Sequence, residues 1–174
     1  MSVFLGPLEL VGDRWVIGDP DRKRRSCLVL TTEGMAHHKD GAPEPLAVIP
    51  WGRFMWVGVN ATTRAWMATR TAGALSLGGG PPDLGGGACS VSATVRHPYE
   101  DWSVNFTHHE RPYTNSHAFL VDQLFRQVSD VKALHRLGDP QWLGAAVAKL
   151  APVRVRWAPT AVRNVREVVE SLDT

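Results

Sequence analysis

The spacing of apolar positions changes once along the chain. Before Pro112 they come in short runs and alternations; after it they recur every three or four residues. A period of two marks a strand with one buried face, and a spacing of three to four marks an amphipathic helix. The first part predicts strands over residues 8–11, 14–17, 26–31, 35–38, 46–49 and 54–59. Between them lie Gly12-Asp13, Gly18-Asp19-Pro20-Asp21, Thr32-Glu33-Gly34 and Lys39-Asp40-Gly41, residue types that supply the dihedrals and local hydrogen bonds of turns. Pro43 and Pro45 cannot donate to a ladder and delay the fifth strand. Residues 90–95 and 102–107 alternate apolar with polar and form a hairpin across residues 97–101. Residues 64–77 are mixed: Trp66, Thr69 and Thr71 favour strand, the alanines favour helix, and the reading adopted is strand.

After Pro112 the pattern is helical. Ser116 is placed to cap a helix in which Leu120, Leu124, Val128 and Val131 form a stripe, widened by Phe119, Val121 and Phe125. Asp139-Pro140 supplies an N-cap followed by proline at the first helical position, predicting a second helix to Leu150 that Pro152 stops. Residues 153–157 alternate like a short exposed strand. Thr160 then caps a last helix with Val162, Val165, Val169 and Leu172 on one face. Many strands followed by helices predict an α+β fold rather than an alternating βαβ one.

Two segments carry a family likeness: Cys27-Leu28-Val29-Leu30-Thr31-Thr32-Glu33-Gly34 and Ile49-Pro50-Trp51-Gly52-Arg53-Phe54. With the run of short strands and the helix from Ser116, they resemble the pleckstrin-homology-like domains, particularly small bacterial ones, over residues 8–131. The resemblance implies a bent antiparallel sheet or partly open β-barrel, capped by a helix. It also implies binding of a lipid head group, peptide or protein without intrinsic catalysis. The chain departs from that pattern in its C-terminal helical extension, residues 132–174, which is expected to pack on the PH-like unit of residues 1–131.

Composition narrows the function classes. A chain of 174 residues suits one domain with a real core, and 44% hydrophobic with 21% charged residues is ordinary globular usage. Lys+Arg 19 against Asp+Glu 17 leaves a net charge of +2, far from the basic excess of a dedicated nucleic-acid binder. Gly6 and Pro7 break the N-terminal segment, and no apolar run reaches the ~18 residues of a membrane span, so a cytoplasmic location is expected. Cys27 and Cys89 lie in strand-like runs. One disulfide is conceivable, but two reduced, buried thiols are expected without a secretion signal.

Two clusters carry candidate chemistry. Arg22, Lys23, Arg24 and Arg25 form the densest charge, in a loop where PH-like domains place phosphate-binding residues. They would hold a phosphate or acidic peptide, with Asp19 and Asp21 offsetting part of the field. The bland alternative is a solvated turn that keeps a strand edge from pairing. The second cluster is His108, His109, Glu110 and His117, with His97 as a further ligand. One of the two adjacent histidines with Glu110, His117 and His97 would make a three-ligand zinc or iron site, and with it a metal-dependent hydrolase. Adjacent strand residues face opposite ways, so His108 and His109 should not share a metal, and the spacing matches no established ligand set.

The six glycines within residues 78–87 lack the Gly-Lys-Ser/Thr ending of a phosphate loop and read as a connection. No Gly-x-Ser-x-Gly occurs, and the tryptophans in strands are expected in the core. The function expected is non-catalytic binding of a protein or acidic ligand, with the histidine-based hydrolase second. Nucleic-acid binding through Arg22–Arg25, Arg154 and Arg156 comes third. A homodimer is expected if the valine stripe of the last helix is exposed.

Overall fold

The computed structural model describes residues 3–21, 25–63 and 89–173. The basic residues Arg22, Lys23 and Arg24, the strand expected over 64–77, and the glycine-rich 78–87 lie outside the described residues. Among those described, nine strands form two antiparallel sheets. The first is a six-stranded meander of β1 (Phe4–Leu5), β2 (Leu8–Val11), β3 (Arg14–Ile17), β4 (Ser26–Leu30), β5 (Gly34–Lys39) and β6 (Ala47–Pro50). The second holds β7 (Phe54–Ala61), β8 (Cys89–Val95) and β9 (Glu100–Asn105). Three helices follow: α1 (Asn115–Asp130), α2 (Pro140–Leu150) and α3 (Ala158–Leu172). The α+β class is therefore present, built on two open sheets and not on a closed barrel.

The sheets meet at two corners. At one, β6 runs through the 3-10 turn Trp51–Arg53 directly into β7. At the other, the chain leaving β9 crosses the start of β4: Thr107 donates its N–H to the Ser26 carbonyl at 2.8 Å, and Ser26 donates its own to Thr107 Oγ1 at 2.8 Å. Asp19 N–H then reaches the Thr107 carbonyl at 2.9 Å. Alternation along β8 explains the core between the sheets, since Val91, Ala93 and Val95 are buried while Ser92 and Thr94 are half-buried. Leu28, Leu30, Met35, Trp15 and Ile17 fill the facing side.

The helices belong to the same apolar cluster. Leu120, Leu124, Phe125 and Val128 of α1 and Leu143, Val147 and Leu150 of α2 join it without a break. Trp15 Nε1 in β3 donates to the Pro140 carbonyl at 3.2 Å, a direct tie from sheet to α2. Asp139 caps α2 through the N–H groups of Gln141 and Trp142, the arrangement its sequence predicts. Val165 and Val169 of α3 are buried in this core, so the stripe does not supply an exposed dimer surface.

Three local expectations change. Thr114, not Ser116, caps α1, accepting the His117 N–H at 3.2 Å; Ser116 Oγ instead accepts from Val155 N–H at 3.1 Å. Residues 153–157 pair with no strand among the described residues, and α3 begins at Ala158, two residues before Thr160. Residues 108–110 lie beyond β9, in an irregular connection. No helix of the described residues is long and apolar enough to cross a membrane.

Candidate functional site

The larger described cavity is a groove between β7 and the polar flank of α1, about 470 Å³ in volume. Helical spacing places Asn115, Asp122, Arg126 and Ser129 along one line of α1, beside its apolar stripe. Among the described residues strand β7 is an edge of its sheet, and every second backbone N–H on an edge points away from the ladder. The helix fills two of these vacancies. Val59 donates to Asp122 Oδ1 at 3.0 Å and Val57 donates to Ser129 Oγ at 3.1 Å.

The other carboxylate oxygen of Asp122 accepts from Arg126 Nε at 2.7 Å, and the Arg126 guanidinium lies 5.0 Å from the centroid of the Trp56 ring. A register shift between Phe54 and Trp56 re-aims the strand there. Trp56 can lie across β7 only because position 58 is glycine: a Cβ at Gly58 would sit 2.7 Å from Trp56 Cη2. The groove is floored by this ring and ringed by Asn60, Ser92, Asn115 and Phe119. Arg126 keeps 44% of its side chain exposed.

The histidines expected to share a metal are directed to separate main-chain carbonyls. His108 Nε2 donates to the Thr62 carbonyl at 2.9 Å, stacked on Tyr113, whose hydroxyl donates to the same oxygen at 2.8 Å. This shared acceptor fixes the end of β7 beside Cys89. Burial pushes the Tyr113 phenol far up, so it stays a neutral donor.

His109 Nε2 donates to the Pro7 carbonyl at 3.2 Å, and its Nδ1 lies 3.6 Å from Glu9 Oε2. Burial, aided by the Arg111 cation, lowers its pKa, against opposing pulls from the Pro7 carbonyl, Asp19 and Glu9. His117 Nε2 donates to the Ala151 carbonyl at 2.9 Å, tying α1 to the end of α2. Glu110 contributes its N–H to Asp19 Oδ2 at 3.4 Å, and His97 is exposed in the β8–β9 turn. Among the described residues no group of three or more His, Cys, Asp or Glu side chains is placed to hold a metal ion.

Arg25, the described member of the basic run, is half-buried ahead of β4, and its carbonyl accepts the Asp40 N–H at 2.7 Å. No family model, curated protein or solved structure matches this chain. The site is therefore defined by its own geometry. The residues that line the groove were not among those singled out from sequence. Their signal was the polar file Asn115, Asp122, Arg126 and Ser129 on a helix otherwise read for its apolar face.

Proposed function

We propose that the chain is a non-catalytic binding module of pleckstrin-homology-like type that receives a segment of a protein partner in the groove between β7 and α1. The order of elements supports the family likeness: the meander β3–β6, then the three-stranded β7–β9, then α1 at once. The hairpin β1–β2 and the helices α2 and α3 are additions to that plan.

One observation carries the functional reading. Among the described residues the groove presents a Trp56–Arg126 pair, the amides of Asn60 and Asn115, the Ser92 hydroxyl and the Asp122 carboxylate, whose oxygens are taken by the Val59 N–H and Arg126. Such a surface can hydrogen-bond an extended chain, and the exposed part of Arg126 favours an acidic position in that chain. Meanwhile the histidines with the right chemistry for acid–base or metal work each donate to a carbonyl and hold the fold together.

The test is a random-peptide display library panned against the wild-type protein and Trp56→Ala. Enriched peptides whose affinity drops about tenfold or more in Trp56→Ala and in Arg126→Ala support the groove. Peptides that bind both variants as well as wild type would remove it. Stoichiometric zinc or iron in the purified protein, lost in His109→Ala, would put the hydrolase reading in its place.

A further inference from the structure

We propose that the segment linking α2 to α3 is a second docking surface, which takes an extended acidic segment of a protein partner. A cavity of about 310 Å³ lies there, bordered by Val155, Arg156, Trp157, Thr160 and Asn164. Trp157 is 75% exposed, the most exposed of the large hydrophobic side chains among the described residues. It is the N-cap residue of α3 and makes no side-chain cap hydrogen bond, an indole having no acceptor to offer the helix N–H groups.

Charge identifies the occupant. Arg53, Arg111, Arg126, Arg136 and Arg163 each have a carboxylate beside them. Arg154 and Arg156 are exposed and, like Arg96 and Arg166, make no ion pair among the described residues; what sets them apart is that both border this cavity beside Trp157. The segment between α2 and α3 is held in place rather than loose. Val153 and Val155 pack against the core, Val153 N–H reaches the Leu150 carbonyl at 2.9 Å, and Val155 N–H reaches Ser116 Oγ at 3.1 Å. Alternation then sends Arg154 and Arg156 outward together, about 7 Å apart along an extended backbone.

An extended peptide repeats its side chains at that same interval. Carboxylates at alternate positions share one face of such a peptide and would meet the two guanidinia in register, and an apolar residue two positions beyond them, on that same face, would meet Trp157 and the cavity. Arginine forks and tryptophan are also the side chains that most often anchor interfaces. The patch is short for a nucleic-acid backbone: of the two further cations on α3, Arg163 lies 3.9 Å from Glu167, which leaves Arg166.

This surface is independent of the β7–α1 groove, and the experiment keeps the two apart. A fluorescein-labelled peptide carrying Leu, Glu, Glu and Leu at alternate positions, with Ser between them, is titrated with the full chain by fluorescence polarisation. Saturable binding is expected, weakening with added salt, about tenfold weaker in Trp157→Ala and abolished in the double variant Arg154→Glu, Arg156→Glu. Because the β7–α1 groove also favours an acidic position, binding lost in Trp56→Ala and kept in the Trp157 and Arg154/Arg156 variants would belong to that groove and overturn this proposal. The variants sit at exposed positions, and circular dichroism confirms that each is folded. Absence of saturable binding, equal affinity across the variants, or tighter binding of a single-stranded oligonucleotide under the same conditions would overturn the proposal.

Discussion

Asp122 accepts the backbone N–H of Val59 at 3.0 Å, so a helix carboxylate completes the hydrogen bonding of a sheet edge. Unpaired edges invite pairing with other chains, and a charged side chain is one of the ways proteins blunt them. Because the acceptor is ionised, this bond is stronger than a neutral one. Asp122→Ala leaves the Val59 N–H without its acceptor and Arg126 without its partner. A loss of about 1–3 kcal/mol is expected in urea unfolding, together with faster aggregation. Asp122→Asn should lose less, since an amide oxygen can still accept. Equal stability of wild type and Asp122→Ala would show that the edge needs no cap.

Gly138 brings the C-terminal region close against the end of β4 and the turn after β6. A Cβ there would overlap the Thr31 carbonyl oxygen and lie 2.6 Å from Trp51 Nε1, the two partners of a 2.8 Å hydrogen bond. Gly138→Ala should therefore cost about 2–3 kcal/mol by overpacking. Gly52→Ala meets nothing within 4 Å and should stay within about 0.5 kcal/mol of wild type. Paired thermal melts of the two variants check the contrast, and similar shifts for both would refute it.

Cys27 and Cys89 are both free and both buried. Burial raises each thiol pKa, which leaves little thiolate, the reactive form. Neither should react with Ellman's reagent in the native protein, and both should react after denaturation. Rapid labelling of the folded chain would contradict the packing around one of them.

The strand pattern was legible because one side of each strand faces a core. Residues 90–95 and 14–17 alternate or cluster as burial demands, and they appear as β8 and β3 with little change. Strand β1 carried no such signal. Its two residues, Phe4 and Leu5, are too few for a period, and they are held by pairing with Glu9 and Leu8. Residues 153–157 show the opposite failure. Alternation was real there, with Val153 and Val155 turned inward, but no neighbouring strand supplies a ladder. Histidine clustering misled for a related reason. Sequence proximity brought His108, His109 and His117 together, while the irregular backbone at 108–109 and the first turn of α1 at His117 send each to a different carbonyl. The groove was illegible because it depends on Val57 and Val59 meeting Ser129 and Asp122 across more than sixty residues.

The buried ring of His109 makes stability depend on pH. Burial and Arg111 hold its folded pKa below the ordinary value of 6.5, and burial does the same for His37. The unfolded chain therefore binds more protons than the folded one at mildly acidic pH. The stability these rings contribute is complete above about pH 6.5 and is lost as pH falls through that value toward the lower folded pKa. Urea midpoints should drop between about pH 7 and pH 5, with each ring adding at most about 1.4 kcal/mol per pH unit. His109→Gln can keep an N–H donor toward Pro7 but cannot titrate, so its midpoint should fall less steeply, the remaining slope coming from His37. A wild-type midpoint that rises on acidification, or a variant with an unchanged slope, would show that His109 is not held neutral by the fold.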